Sequence, residues 1–151
     1  MKPEETIDFH LRWAWHKTAR LYNLAAQEHG FTMSMGYTLL NIDKYEGTPS
    51  TKLGPLMGME SRSLTRTLKT MEESGFIERK SDPTDKRMVR VFLTEKGMEA
   101  RKISRATVIR FNERIQDVLT TQEREQFFQI MKKVNQRLDE TQLVESETID
   151  E

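Results

Sequence analysis

Ser61, Arg62, Ser63, Thr65, Arg66 and Lys69 share one face of a segment whose opposite face is Leu64, Leu68 and Met71. An arginine can aim two N–H groups at O6 and N7 of a guanine, and Ser and Thr reach bases or phosphates. The polar face therefore has the chemistry to read a duplex in its major groove. Any amphipathic helix also has a solvated face, so the next segment decides the reading. Residues 79–90 set Arg79, Lys80, Lys86, Arg87 and Arg90 against Asp82 and Asp85, around Pro83. A loop with five cations and two carboxylates suits a polyanion when it follows such a helix. Lys86, Arg87 and Arg90 are the expected contacts, and Asp82 and Asp85 the supports. Asp85 is expected to hold Arg87 extended, which lowers the ordering cost of inserting it into a narrow minor groove.

These side chains need elements to position them. The Leu64, Leu68, Met71 spacing predicts a helix opening at Glu60 or Ser61 and closing at Gly75. Before it, Ser50 or Thr51 is the expected cap of a short helix bearing Leu53, Leu56 and Met57, which Gly58 breaks. With Thr51 as cap, Pro55 falls at the edge of the first turn, where a missing N–H costs little. Two short helices joined by a tight Gly-containing turn read as a helix-turn-helix, and Thr51 and Lys52 join the expected DNA-contacting set. After Gly75 the period changes to two. Phe76–Lys80 and Met88–Leu93 read as strands, with Val89, Val91 and Leu93 on one face and Pro83 at the second position of a type I turn. The fold class expected is mainly α with a small β wing.

The flanks are helical. Ile7, Leu11, Ala14, Trp15, Leu21 and Ala25, with a second stripe of Phe9 and Trp13, predict a helix from Thr6 to about Glu28 buried on more than one side. Met35, Leu39, Ile42 and Tyr45 predict a second helix ending near Gly47. Ala100, Ile103, Val108, Phe111, Ile115 and Val118 mark a further helix. The pair Thr120 and Glu123 forms a capping box ahead of Phe127, Met131, Val134 and Leu138. These flanking stripes exceed what a small winged helix covers, so a homodimer is expected. The organisation is then one domain, with a DNA-binding lobe at about 34–94 and dimerisation helices at about 6–29 and 95–138. Residues 139–151 carry six acidic side chains and no basic one, and read as a disordered tail. The overall neutrality is misleading, because residues 1–138 hold 24 basic against 18 acidic side chains.

Other classes find little support. His10, His16 and His29 are six and thirteen residues apart, not the four that place two ligands on one helix face. There is no Gly-rich phosphate loop and no Gly-x-Ser-x-Gly elbow, so no catalytic residue, metal or cofactor is expected. Zero cysteines exclude disulfides and thiol redox sensing. No apolar run has the length of a membrane span, and the N-terminus lacks an apolar signal core, which predicts a cytoplasmic protein without a membrane partner.

The run from Thr51 to Gly97, SLTRTLKTMEESGFIER followed by DPTDKRMVRVFLTEKG, resembles the core of the MarR family of bacterial transcriptional regulators. The flanking helices fit that family's dimerisation region, so the likeness extends over most of residues 6–138. The Asp-x-x-Asp-x-Arg wing followed by Leu-Thr-Glu-Lys-Gly is its most specific part, and Gly54–Pro55 departs from the helix formers usual there. The resemblance implies a repressor that binds a palindromic operator as a homodimer, with Ser61 to Arg66 in recognition and Arg87 in the minor groove. It also implies a small aromatic or anionic effector between lobe and dimer helices, where Trp13, Trp15, His16 and Tyr37 are the candidates and core packing is their plainer role. A constitutive or architectural DNA-binding protein without a ligand is the alternative.

Overall fold

The computed structural model describes residues 2–140, from a short 3-10 turn at Pro3–Glu5 onward. Helices α1 (Ile7–Gln27) and α2 (Met33–Asn41) lead to a two-residue strand β1 (Thr48–Pro49). Helices α3 (Ser50–Met57) and α4 (Ser61–Glu73) follow, then strands β2 (Ile77–Ser81) and β3 (Val89–Leu93). Helices α5 (Glu95–Gln116) and α6 (Thr121–Glu140) complete the order. The sheet is antiparallel with β3 in the middle: Thr48 lies opposite Val91, and β2 runs from Ile77 opposite Leu93 to Ser81 opposite Val89. Pro49 is tolerated because β1 is an edge strand. This is a winged helix, mainly helical with one small sheet.

The described chain divides into two compact units, one up to Ile109 and one from Arg110. In the first, Phe31, Met35, Leu39 and Ile42 from α2 and its flanks meet Leu53 of α3 and the Leu64, Leu68, Met71 face of α4. Phe76, Ile77, Val91 and Ala100 close this core from the sheet and α5. Each such aliphatic or thioether side chain removed from water contributes roughly 1.5–3 kcal/mol. Together they hold α4 with its polar face outward.

Three local expectations are corrected. Helix α2 stops at Asn41 instead of reaching Gly47, because Ile42 is extended and the Asp43 carboxylate accepts the N–H groups of Tyr45 and Glu46, both at 2.8 Å. Tyr45 is consequently 87% exposed and out of line with Leu39. Ser50 and Thr51 are the first residues of α3, with Pro49 at the cap position, so Pro55 sits inside the helix. Pro55 therefore costs α3 the N–H bond that position 55 would donate to Thr51 O, and the helix ends three residues later at Gly58, which is left-handed with φ 60°. Thirdly, α1 is not buried on several sides within the chain. Only Tyr22 and Ala26 are buried, while Ile7, Trp15 and Leu21 are more than half exposed, because α1 packs on the core through one stripe alone.

The second unit holds the end of α5 and all of α6. The capping box forms, with Glu123 N–H donating to Thr120 Oγ1 at 3.2 Å and Thr120 N–H to Glu123 Oε2 at 2.8 Å. No residue of α6 is buried, and Phe127, Phe128, Ile130 and Leu138 are exposed. Asp139 and Glu140 belong to α6 and not to a disordered tail, since the helix runs through them. The expectation for the remainder of the tail lies outside the described residues.

Candidate nucleic-acid interface

On α4, burial of Leu64, Leu68 and Met71 turns Ser61, Arg62, Ser63, Thr65, Arg66 and Lys69 into solvent. Thr65 donates its hydroxyl to Ser61 O at 2.8 Å, which leaves its oxygen as an acceptor only. Lys69 lies 3.9 Å from Glu73, an exposed pair worth little. Arg62 and Arg66 have no carboxylate partner among the described residues and are exposed. Thr51 and Lys52 are exposed on the first turn of α3, and a groove between α3 and α4 runs from Thr51 past Gly54 to Ser61 and Thr65. Gly54 permits that approach: a Cβ there would stand 3.1 Å from Met59 O.

The wing separates its cations into two kinds. Arg79 Nε–H donates to Glu72 Oε2 at 2.8 Å, tying β2 to α4, and Lys80 pairs with Glu78 at 2.7 Å. Arg90, expected as a DNA contact, is bound into the wing's base. Its Nε–H donates to Asp82 Oδ2 at 2.7 Å, and its Nη1 donates to the carbonyls of Glu46 and Gly47. Asp82 is 2% exposed, and its other oxygen accepts the Thr84 hydroxyl and the N–H groups of Thr84 and Asp85. The Thr84 hydroxyl foremost, then the Thr84 amide and Arg90, holds the Asp82 carboxyl well below the usual carboxylate range. Lys86 and Arg87 remain at the tip, exposed and without carboxylate partners among the described residues. Asp85 takes the backbone N–H of Arg87 at 3.0 Å, so it shapes the turn and does not extend the guanidinium as expected.

The four residues expected to line an effector pocket do not converge. Tyr37 lines a cavity of about 30 Å³ between α1, α2 and α5, together with Tyr22, Phe31, Gly36, Ser104 and Val108. Burial, and then Tyr37, pushes the Tyr22 phenol up to about 12. Trp13, Trp15 and His16 are absent from its lining because they sit on the exposed part of α1. There Trp13 contacts Phe9 and His16 edge-to-face, at ring-centre distances of 6.1 and 6.0 Å. Reading the sequence missed Tyr22 and Gly36. A glycine inside α2 was the available signal, since a Cβ there would meet Ser104 Oγ at 3.1 Å. Among the described residues no group of three His, Asp or Glu could hold a metal, and no helix is long and apolar enough to cross a membrane.

A MarR family model matches residues 31–89, the stretch from the start of α2 to the start of β3. The HTH-type transcriptional regulator TtmR of Methylorubrum extorquens (strain PA1) is 34% identical over 84 residues, covering 56% of this chain and 43% of that protein. The transcriptional repressor MprA of Escherichia coli (strain K12) is 28% identical over 117 residues, covering 78% of this chain and 66% of that protein. The chain thus spans less than half of the first relative's length. Among solved structures, the S. aureus MepR–DNA complex superposes with a TM-score of 0.81 over 89% of this chain and 98% of that one, at 18% identity. That likeness is one of fold.

Proposed function

Because the chain belongs to the MarR family, we propose that it is a DNA-binding transcriptional regulator, a repressor that acts as a homodimer on an inverted-repeat operator. The lobe at 34–94 binds the duplex, with α4 in the major groove and Arg87 in the neighbouring minor groove. The helices at 6–29 and 95–138 pair the two copies. One observation carries this reading: Arg62, Arg66, Lys86 and Arg87, which have no carboxylate partner among the described residues, lie on α4 and the wing tip of one compact unit. Thr51, Lys52, Ser61, Ser63, Thr65 and Lys69 supply the shorter contacts to bases and phosphates. The apolar side chains that the chain leaves exposed on α1 and α6 support the pairing of copies.

Release by a small aromatic or anionic compound is the finer part of the proposal. The Tyr22 and Tyr37 cavity holds about 30 Å³, far below the roughly 150 Å³ that takes up a benzene ring, so an effector must widen it. A ligand that favours the widened state lowers operator affinity by its differential affinity for the two states.

Selecting bound duplexes from a random pool tests the main reading. A regulator of this kind enriches one inverted repeat with half-site centres about one helical turn, roughly 10 base pairs, apart. A constitutive architectural protein enriches none, and that outcome would replace the proposal.

A further inference from the structure

A second charged cavity, of about 210 Å³, lies where the loop after α2 meets α5. Lys44, Arg101, Lys102 and Arg105 line it beside Met98 and Ile109, and no carboxylate does. It shares no lining residue with the α3–α4 groove or with the Tyr22 and Tyr37 cavity. Lys102 is engaged by Glu99 at 2.5 Å, which leaves Lys44, Arg101 and Arg105. Arg101 is anchored, with one terminal nitrogen donating to Leu40 O at 3.3 Å. Its Nε is buried and has no acceptor, a condition that few buried donors in folded proteins show. Asp43 is close enough to feel the field of Arg101, yet forms no ion pair with it, and its Oδ1 accepts the amides of Tyr45 and Glu46.

We propose that Lys44, Arg101 and Arg105 form a binding site for the phosphate group of a small phosphomonoester. Three cations without an ion pair among the described residues, at one cavity, match a dianion better than a monoanion. Guanidinium groups present paired N–H donors to phosphate oxygens, and Arg101 and Arg105 bring two such groups to the same cavity. Met98 and Ile109 give the organic part of the ester an apolar wall. The site does not depend on the lobe binding DNA, and its primary readout is phosphate binding alone.

The full-length chain is titrated at constant ionic strength with inorganic phosphate and methyl phosphate, with acetate and chloride as comparisons. Binding is followed through the amide signal of Lys44 and the side-chain Nε–H signal of Arg101 by NMR. Both phosphates should give saturable shifts, at least about tenfold tighter than acetate, as expected of charge-assisted bidentate contacts. The double variant Lys44→Ala, Arg105→Ala changes two exposed residues, should keep the wild-type melting temperature and should weaken phosphate binding by at least about tenfold. Unsaturable drift that is alike for all four anions, or unchanged affinity in the double variant, overturns the proposal. So does a double variant that leaves free phosphate binding intact and lowers the salt slope of duplex binding by about one to two, since the pocket would then face the DNA backbone.

Discussion

Arg90 Nε–H donates to Asp82 Oδ2 across 2.7 Å while the same guanidinium reaches the carbonyls of Glu46 and Gly47, more than forty residues earlier in the chain. One side chain thereby joins the turn of the wing to the loop that enters β1. Asp82→Asn keeps the shape and removes the charge, so the urea midpoint should fall near neutral pH. The sign of the pH dependence follows from the depressed folded-state pKa of Asp82. Its stabilisation is complete above the unfolded value of about 3.9 and is lost as pH falls from there towards the folded value. The gap between wild type and variant should be constant from neutral pH to about pH 5 and narrow by pH 3. A gap that is unchanged at pH 3 would contradict this assignment.

Arg66 and Arg87 should differ in kind. Arg66→Ala should cost roughly 1–3 kcal/mol of operator affinity and relax base preference at one position, as loss of a bidentate guanine contact does. Arg87→Ala should weaken all duplexes more evenly, most on A/T-rich flanks, and lower the salt slope by about one. Titrations on a selected site and on single-base variants, at two salt concentrations, separate the outcomes. Wild-type affinity in both variants would refute the interface.

Gly97→Ala should destabilise the fold without touching the polar face of α4. A Cβ at Gly97 would lie 2.0 Å from Phe76 O, a carbonyl already accepting the Thr94 N–H at 3.1 Å. Backbone must shift to make room, and overpacking of this sort costs roughly 1–3 kcal/mol. Urea unfolding measures it, and an unchanged midpoint would mean that α5 approaches the sheet less closely.

Phe127→Glu with Phe128→Glu should separate the copies. Both rings are more than half exposed in the chain, so the change leaves the first unit folded. Sedimentation velocity should show a dimer for the wild type and monomers for the variant. Operator affinity should fall steeply, because each half-site would then be bound without the other's effective concentration. A variant that remains dimeric would move the interface off this part of α6.

Elements set by near neighbours were legible in the sequence. The face of Leu64, Leu68 and Met71 gave α4 its length and orientation, and the Thr120 and Glu123 capping box marked the start of α6. Both depend on residues three or four apart, whose contacts a helix imposes by its own geometry. The two-residue strand β1 carries no period to read, and the early end of α2 turns on how the Asp43 carboxylate folds back onto two amides. The cations of the wing show the same division. Composition placed five of them in one stretch, but only the folded structure assigned Arg79 to Glu72, Lys80 to Glu78 and Arg90 to Asp82, leaving Lys86 and Arg87 at the tip without a carboxylate partner among the described residues. A charged side chain pairs with whatever acceptor the folded backbone brings within about 3 Å. For Arg90 those acceptors come from Glu46 and Gly47, distant in sequence and adjacent only because β1 lies against β3.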